Sequence, residues 1–257
     1  MKIHFLGTCA GTEPMPGRKH ASVAVESGDC IYWFDAGEGC SYTAHLMGID
    51  LLKVKKVVIS HTHMDHVGGL GNLLWNIRKL SNVQKRFPIH GGVEVHIPNM
   101  ETWEGIMSIL RNTENGFKTD YPVMAREIQA GVVFDDGVMK VTAFPNSHLG
   151  DVNSAKCLSF SYLIECEGKR LVYSGDVGKY QDLDEVLKGG CDGLIIETGH
   201  FNVDAVCEYV ADKKIERLFF SHNGREILYD PEGSREKVKR RIGEHALICE
   251  DGMTVEL

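Results

Sequence analysis

The chain has 257 residues and a formal net charge of -8, from 28 Lys and Arg against 36 Asp and Glu. With 43% hydrophobic and 25% charged residues it has ordinary globular composition, which excludes a disordered chain and leaves enough apolar side chain for a single domain over residues 1–257. The acidic balance excludes a surface that grips polyanions wherever it meets them, since neutralising phosphates takes clustered Lys and Arg. The short basic runs at Lys53-Val54-Lys55-Lys56, Lys213-Lys214 and residues 235–241 read as solvated faces.

The opening Met1-Lys2-Ile3-His4-Phe5-Leu6-Gly7 reads as a strand running into a glycine turn, without the apolar stretch of a secretion signal. A glycine-rich loop over residues 7–17 follows, then strands over 21–26 and 30–34, and Asp35-Ala36-Gly37-Glu38-Gly39 opens a helix to about Met47. Residues 57–60 form a short buried strand, and a His/Asp cluster follows as a loop. Leu70, Leu73, Leu74, Ile77 and Leu80 then mark one helix face at spacings of three and four. A strand over 93–97 and a helix over 100–110 lead to a strand over 138–144 that ends at Pro145-Asn146-Ser147-His148. Strands over 158–165 and 170–173 close on Ser174-Gly175-Asp176. A strand over 193–196, a helix over 203–211 and a strand over 217–220 close on Ser221-His222; a helix over 232–242 and a strand over 254–256 complete the chain.

No stretch nears the ~20 apolar residues of a membrane span. The eight cysteines include no C-x-x-C pair, which predicts reduced thiols in a cytoplasmic protein rather than a zinc knuckle or a dithiol motif. Strands followed by helices, repeated in both halves with antiparallel runs, predict two sheets packed face to face with helices outside.

In His61-Thr62-His63-Met64-Asp65-His66, four metal-capable side chains fall within six residues. Imidazoles suit zinc and the carboxylate suits a second divalent ion. Crowding three histidines and an aspartate onto one loop is costly unless a cation offsets their desolvation. His148, Asp176 and His222, each just past a strand, are further candidates, although polar residues in such places are often only turn formers. Asp35 reads as a residue that orients the metal loop by hydrogen bonding.

The H-x-H-x-D-H loop resembles that of the metallo-β-lactamase superfamily, and its surroundings resemble the ribonuclease Z branch. Gly7-Thr8 with Gly11 and Pro14 is similar to that branch's first loop, and Phe34-Asp35-Ala36-Gly37-Glu38-Gly39 to its Asp-x-Gly-Glu turn. The resemblance implies an α/β fold in four αββα layers and two divalent ions, zinc first, with manganese or iron(II) as alternatives. It implies that His61, His63 and His148 hold one ion, that Asp65, His66 and His222 hold the other, and that Asp176 bridges them, with Asp65 also serving catalysis. Two ions ~3.5 to 4 Å apart activate water and polarise a phosphoryl or carbonyl oxygen, so hydrolysis is the implied chemistry. A di-iron redox relative is disfavoured, because such proteins carry an acidic residue where this chain has His63.

Glu197 and His200 resemble the pair that ribonuclease Z relatives use to protonate a leaving group, although a Glu capping a turn beside a surface His would look the same. Arg225 is a candidate phosphate contact in a segment, Asn223-Gly224-Arg225-Glu226, that departs from the Ser and Arg common in the branch. The short interval between His148 and Asp176 leaves no room for the long arm with which tRNA-processing members clamp tRNA. The expected substrate is therefore a small phosphodiester, a nucleotide, a cyclic nucleotide or an RNA 3′ end, with a homodimer among the assemblies the resemblance allows. A lactone or thioester hydrolase of the same fold, and a metal-binding regulatory protein without turnover, are the rival readings.

Overall fold

Apolar β-branched and aromatic residues favour extended chain, and Leu-rich stripes favour helix; the two alternate along the whole sequence. The computed structural model describes residues 1–152 and 156–257. The order is β1 (Lys2–Gly7), β2 (Ser22–Ser27), β3 (Cys30–Phe34), α1 (Cys40–Leu46), β4 (Val54–Val58), α2 (Met64–Val67), α3 (Leu70–Gln84), β5 (Val93–Ile97), α4 (Met100–Arg111) and β6 (Val123–Glu127). Then come β7 (Gly131–Asp135), β8 (Met139–Pro145), β9 (Phe160–Cys166), β10 (Lys169–Tyr173), β11 (Cys191–Glu197), α5 (Val203–Val210), β12 (Ile215–Ser221), α6 (Arg225–Tyr229), α7 (Pro231–Arg241), β13 (Ala246–Ile248) and β14 (Met253–Glu256). The chain divides into two compact units: residues 1–7, 19–128 and 251–256 form the first, and residues 8–18, 129–250 and 257 the second. Neither unit is one continuous stretch.

The first unit is built on a mixed sheet in the order β14-β1-β2-β3-β4-β5-β6. Its first three pairings are antiparallel and the next three parallel. Trp33, Val57, Ile59 and Val95 on one face pack with Ala44 of α1, Leu70, Leu73, Leu74 and Ile77 of α3, and Trp103 and Met107 of α4. The helix face expected from the leucine spacing is thus the buried one. Asn99 caps α4 by accepting from the Glu101 amide.

Two expectations change here. The strand expected over 57–60 covers Val54–Val58 instead. The Ile59 amide still donates to the His96 carbonyl, but the Ser60 amide turns away to the Asp35 carboxylate, and the ladder ends there. The lysines before it are not simply a solvated face: Lys56 is buried with its Nζ 3.0 Å from Glu94, which neutralises it, and Lys53 reaches Asp29 at 2.8 Å.

The second unit repeats the plan: the order is β13-β12-β11-β10-β9-β8-β7. The pairings from β7 to β10 are antiparallel and those from β10 to β13 parallel. Leu163, Val172, Leu194, Ile196, Leu218 and Phe220 pack with Val203, Val206 and Val210 of α5, Ile227 of α6 and Val238 of α7. Asn202 caps α5, while Asp230 caps α7, which begins with Pro231 at a position where its missing amide hydrogen costs nothing. Two antiparallel steps separate β8 from β10, so β8, β10, β11 and β12 all point the same way. Their carboxyl ends share one edge of the sheet, the usual place for a ligand site in an open α/β sheet.

Candidate metal centre

In the first unit the metal-type residues follow β4 directly. They do not form a plain loop: His63 is the N-terminal flank of the one-turn helix α2, which carries Asp65 and His66. One helical turn lets the loop reverse and brings the His66 ring back beside His61. His61 and His66 are buried with ring centroids 4.1 Å apart, and the exposed His63 lies 4.6 Å from His61. His66 Nε2 is 3.4 Å from Asp65 Oδ2.

Behind them sits Asp35, fully buried at the end of β3 with φ of 55°, a left-handed conformation that is uncommon outside glycine and points to a functional constraint. It accepts from the Ser60 amide at 2.6 Å, the Ser60 hydroxyl at 2.7 Å and His66 Nδ1 at 2.7 Å. The neighbouring backbone is clamped as well: Ala36 donates to the His66 carbonyl and Gly69 to the Ala36 carbonyl. Gly37 is needed there because a Cβ would collide with the Asp65 carbonyl oxygen.

In the second unit the candidates stand past the carboxyl ends of four strands. His148 follows β8, Asp176 follows β10, His200 lies three residues past Glu197 at the end of β11, and His222 follows β12 in a left-handed conformation with φ of 48°. Topology brings them together. Asp176, buried, has His222 Nδ1 at 3.3 Å, His148 Nε2 at 3.8 Å and His200 Nδ1 at 3.8 Å. Donor atoms of Asp176, Glu197, His200 and His222 all lie within 4.8 Å of one another.

Glu197 is buried and does two jobs. Its carboxylate accepts from the amides of Val177 at 2.8 Å and His200 at 3.1 Å, and it holds His200 Nδ1 at 2.9 Å. Glu197 thus caps the turn and also holds the His200 ring. Burial pushes the Glu197 pKa up, but His200 and His222 beside it outweigh burial and hold the carboxyl below its ordinary value. The Glu197 carboxylate in turn raises the His200 pKa against the opposing effect of burial. With Nδ1 bound to Glu197, 43% of the His200 side chain is exposed, and only the protonated ring carries hydrogen on Nε2 as well.

The donor sets suit divalent ions: neutral imidazoles with carboxylates, desolvated and oriented by further hydrogen bonds. Several orienting residues carried no signal in the sequence. Asn146 Oδ1 accepts from the His148 amide at 3.2 Å, and Asp182 accepts from the Ser147 amide and hydroxyl at 2.9 and 2.6 Å, fixing the loop that carries His148. Ser60 was legible only as a polar residue ending an apolar run. Arg225 opens α6 with its guanidinium 2.6 Å from Glu13, which also accepts from Tyr229 at 2.6 Å. The loop over residues 8–18 is tied to the same segment through Thr8, Ala10 and the backbone of Asn223.

Among known proteins, the chain is 35% identical over 156 residues to ribonuclease BN of Escherichia coli O7:K1 (strain IAI39 / ExPEC), a match over 58% of this chain and 46% of the relative. The matched segment thus spans about half the length of that curated relative. The solved structure of the short form of human tRNase Z aligns over 100% of this chain and 99% of its own, with a TM-score of 0.74 and 21% identity. Zinc-bound PqqB from Methylobacterium extorquens aligns over 100% of both chains with a TM-score of 0.69 and 17% identity. These two likenesses show the fold. The model of the Beta-lactamase superfamily domain matches residues 33–223, from the end of β3 to just past His222, and the chain belongs to that superfamily.

Proposed function

We propose that the protein is a metal-dependent phosphodiesterase with two divalent ions, zinc first among them, acting on a nucleotide, a cyclic nucleotide or an RNA 3′ end in the cytoplasm. His61, His63 and His148 would hold one ion, Asp65, His66 and His222 the other, and Asp176 both. The bound ions would supply a water nucleophile at neutral pH and counter-charge for the phosphoryl oxygens.

The observation that carries the reading is the Glu197–His200 pair beside Asp176. Glu197 raises the proton affinity of His200 and fixes its ring through Nδ1. Nε2 then donates a proton to the leaving oxygen, which a ribose alkoxide needs. A thioester rival, whose thiolate departs without a proton, has no comparable use for this pair, and the free cysteines suit a reducing compartment. The stretch from His148 to Asp176 is short and holds both β9 and β10, which favours a small phosphodiester or an RNA end over a folded tRNA. No helix among the described residues is long and apolar enough to cross a membrane.

The test is the purified chain with zinc or manganese against bis(p-nitrophenyl) phosphate, cyclic nucleotides, a lactone and a precursor tRNA, with metal content measured in parallel. Phosphodiester turnover with two ions per chain is the expected result. Turnover of the lactone alone would replace the reading with the carbonyl-hydrolase one. Two bound ions with no turnover would leave a metal-binding regulatory protein.

A further inference from the structure

Ser60 is fully buried between Asp35 and the first metal-type histidine, and its bonds account for its hydrogens completely. The amide N–H goes to Asp35 Oδ1 at 2.6 Å. The hydroxyl has one hydrogen and stands 2.7 Å from Asp35 Oδ2 and 3.1 Å from His61 Nδ1, with His66 Nδ1 at the limit of contact, 3.5 Å away. A carboxylate oxygen accepts only, so the hydroxyl hydrogen belongs to Asp35. What remains on the Ser60 oxygen is a lone pair, and it faces His61 Nδ1. That nitrogen must then carry a hydrogen and donate it. His66 Nδ1, 2.7 Å from Asp35 Oδ2, donates to the carboxylate directly.

We infer that Ser60 is a positioning residue that relays the Asp35 carboxylate to His61, so that one aspartate sets the tautomer of two imidazoles, His66 directly and His61 through the serine hydroxyl. Both rings then present an Nε2 without hydrogen, the form a metal binds. A neutral imidazole free to choose its tautomer would spend part of its population with the hydrogen on the wrong nitrogen and would also be free to turn. The inference rests on the metal-binding reading only for its purpose; the tautomer itself is a property of the protein chain.

The experiment uses the full chain labelled with ¹⁵N at histidine, metal-free and zinc-loaded, comparing the unmodified protein with Ser60→Ala, Ser60→Cys and Asp35→Asn. Long-range ¹⁵N–¹H correlations report which ring nitrogen carries hydrogen, and competition with a chelator reports zinc affinity. In the metal-free unmodified protein at neutral pH, His61 and His66 are both expected with hydrogen on Nδ1. Ser60→Ala is expected to release His61 to a mixture of tautomers while His66 keeps its form, and to weaken one of two zinc ions about 10- to 100-fold. Ser60→Cys, a weaker acceptor of nearly the same size, should fall between, and Asp35→Asn should disturb both rings. If His61 carries its hydrogen on Nε2 in the unmodified chain, or if Ser60→Ala leaves His61 unchanged, the relay is wrong. Should the alanine variant fail to fold, the unmodified spectrum and the cysteine variant decide the matter. Absence of zinc binding by the unmodified chain would overturn the metal reading, and the tautomer measurement would still decide the relay by itself.

Discussion

The two units use the same sheet plan to gather metal-type residues in opposite ways. Each has seven strands with three antiparallel pairings followed by three parallel ones. The first concentrates His61, His63, Asp65 and His66 past the end of one strand and spends a one-turn helix to fit them, with support from Asp35 on the neighbouring strand. The second disperses His148, Asp176, Glu197, His200 and His222 over the ends of four strands that point the same way. A concentrated set depends on a single loop staying folded, which explains its clamps: the Asp35 carboxylate, the Ala36 and Gly69 amides and the close approach at Gly37. A dispersed set is held by the sheet itself, and its members are adjusted one at a time by Asn146, Asp182 and Glu197.

The largest effect should come from the residue on which the dispersed set converges. Asp176→Ala is expected to reduce turnover to background and the metal count from two to at most one; elemental analysis with two ions retained would break the assignment. Next, His200→Ala should lower turnover of substrates with alkoxide leaving groups by roughly 10²–10⁴-fold with both ions still bound, and have much less effect on p-nitrophenyl esters, whose leaving group departs without a proton. Equal loss on both substrate classes would make His200 a ligand or a structural residue.

Two glycines sharpen the contrast between clamped loop and sheet-held ligand. A Cβ at Gly37 would collide with backbone, the Asp65 carbonyl oxygen, whereas one at Gly199 would meet the His222 ring at 2.5 Å. Gly37→Ala should therefore destabilise the fold by about 1–3 kcal/mol in denaturant titration. Gly199→Ala, pressing on a side chain, should instead weaken metal binding with a smaller change in stability.

The first unit also carries a buried acid-sensitive group, His96, 2% exposed on β5. Burial lowers its pKa from 6.5 to about 4, against the pull of Glu94 at 3.2 Å. Because the folded form binds its proton less readily than the unfolded chain, the contribution is fully present above pH 6.5 and is lost as pH falls from there to about 4. Unfolding at pH 7 and pH 4.5 should differ by up to about 3 kcal/mol from this group, a difference that His96→Gln should shrink. The smallest effect expected is from Met64→Leu, at 74% exposed between two ligand-type residues: activity and metal content should stay near those of the unmodified protein, and a loss as large as that of a ligand would mean the ligand assignment is wrong.

The interior strands and long helices could be read from the chain because burial imposes a pattern on them. Cys30–Phe34 and Val93–Ile97 are strands at the positions expected, and α3 buries the leucines its spacing singles out. The strands that leave no clear pattern in the sequence, β6, β7 and β13, all lie at sheet edges, where one side has no partner and burial leaves a weaker mark. The short helices α2 and α6 are illegible for a different reason: one turn is too brief to show a period.

For the site, the sequence by itself determined the contiguous cluster, since four metal-type side chains in six residues are improbable as chance and expensive as mere burial. It also marked strand ends where single candidate ligands stand. Only the tertiary structure decided that the Glu197–His200 pair stands beside Asp176, that Ser60 links Asp35 to His61, and that Arg225 is held by Glu13. Each of those pairings joins groups with ordinary neighbours in the chain, and what brings them within hydrogen-bond range is strand order and direction, a property of the folded sheet and its loops that no local pattern of residues encodes.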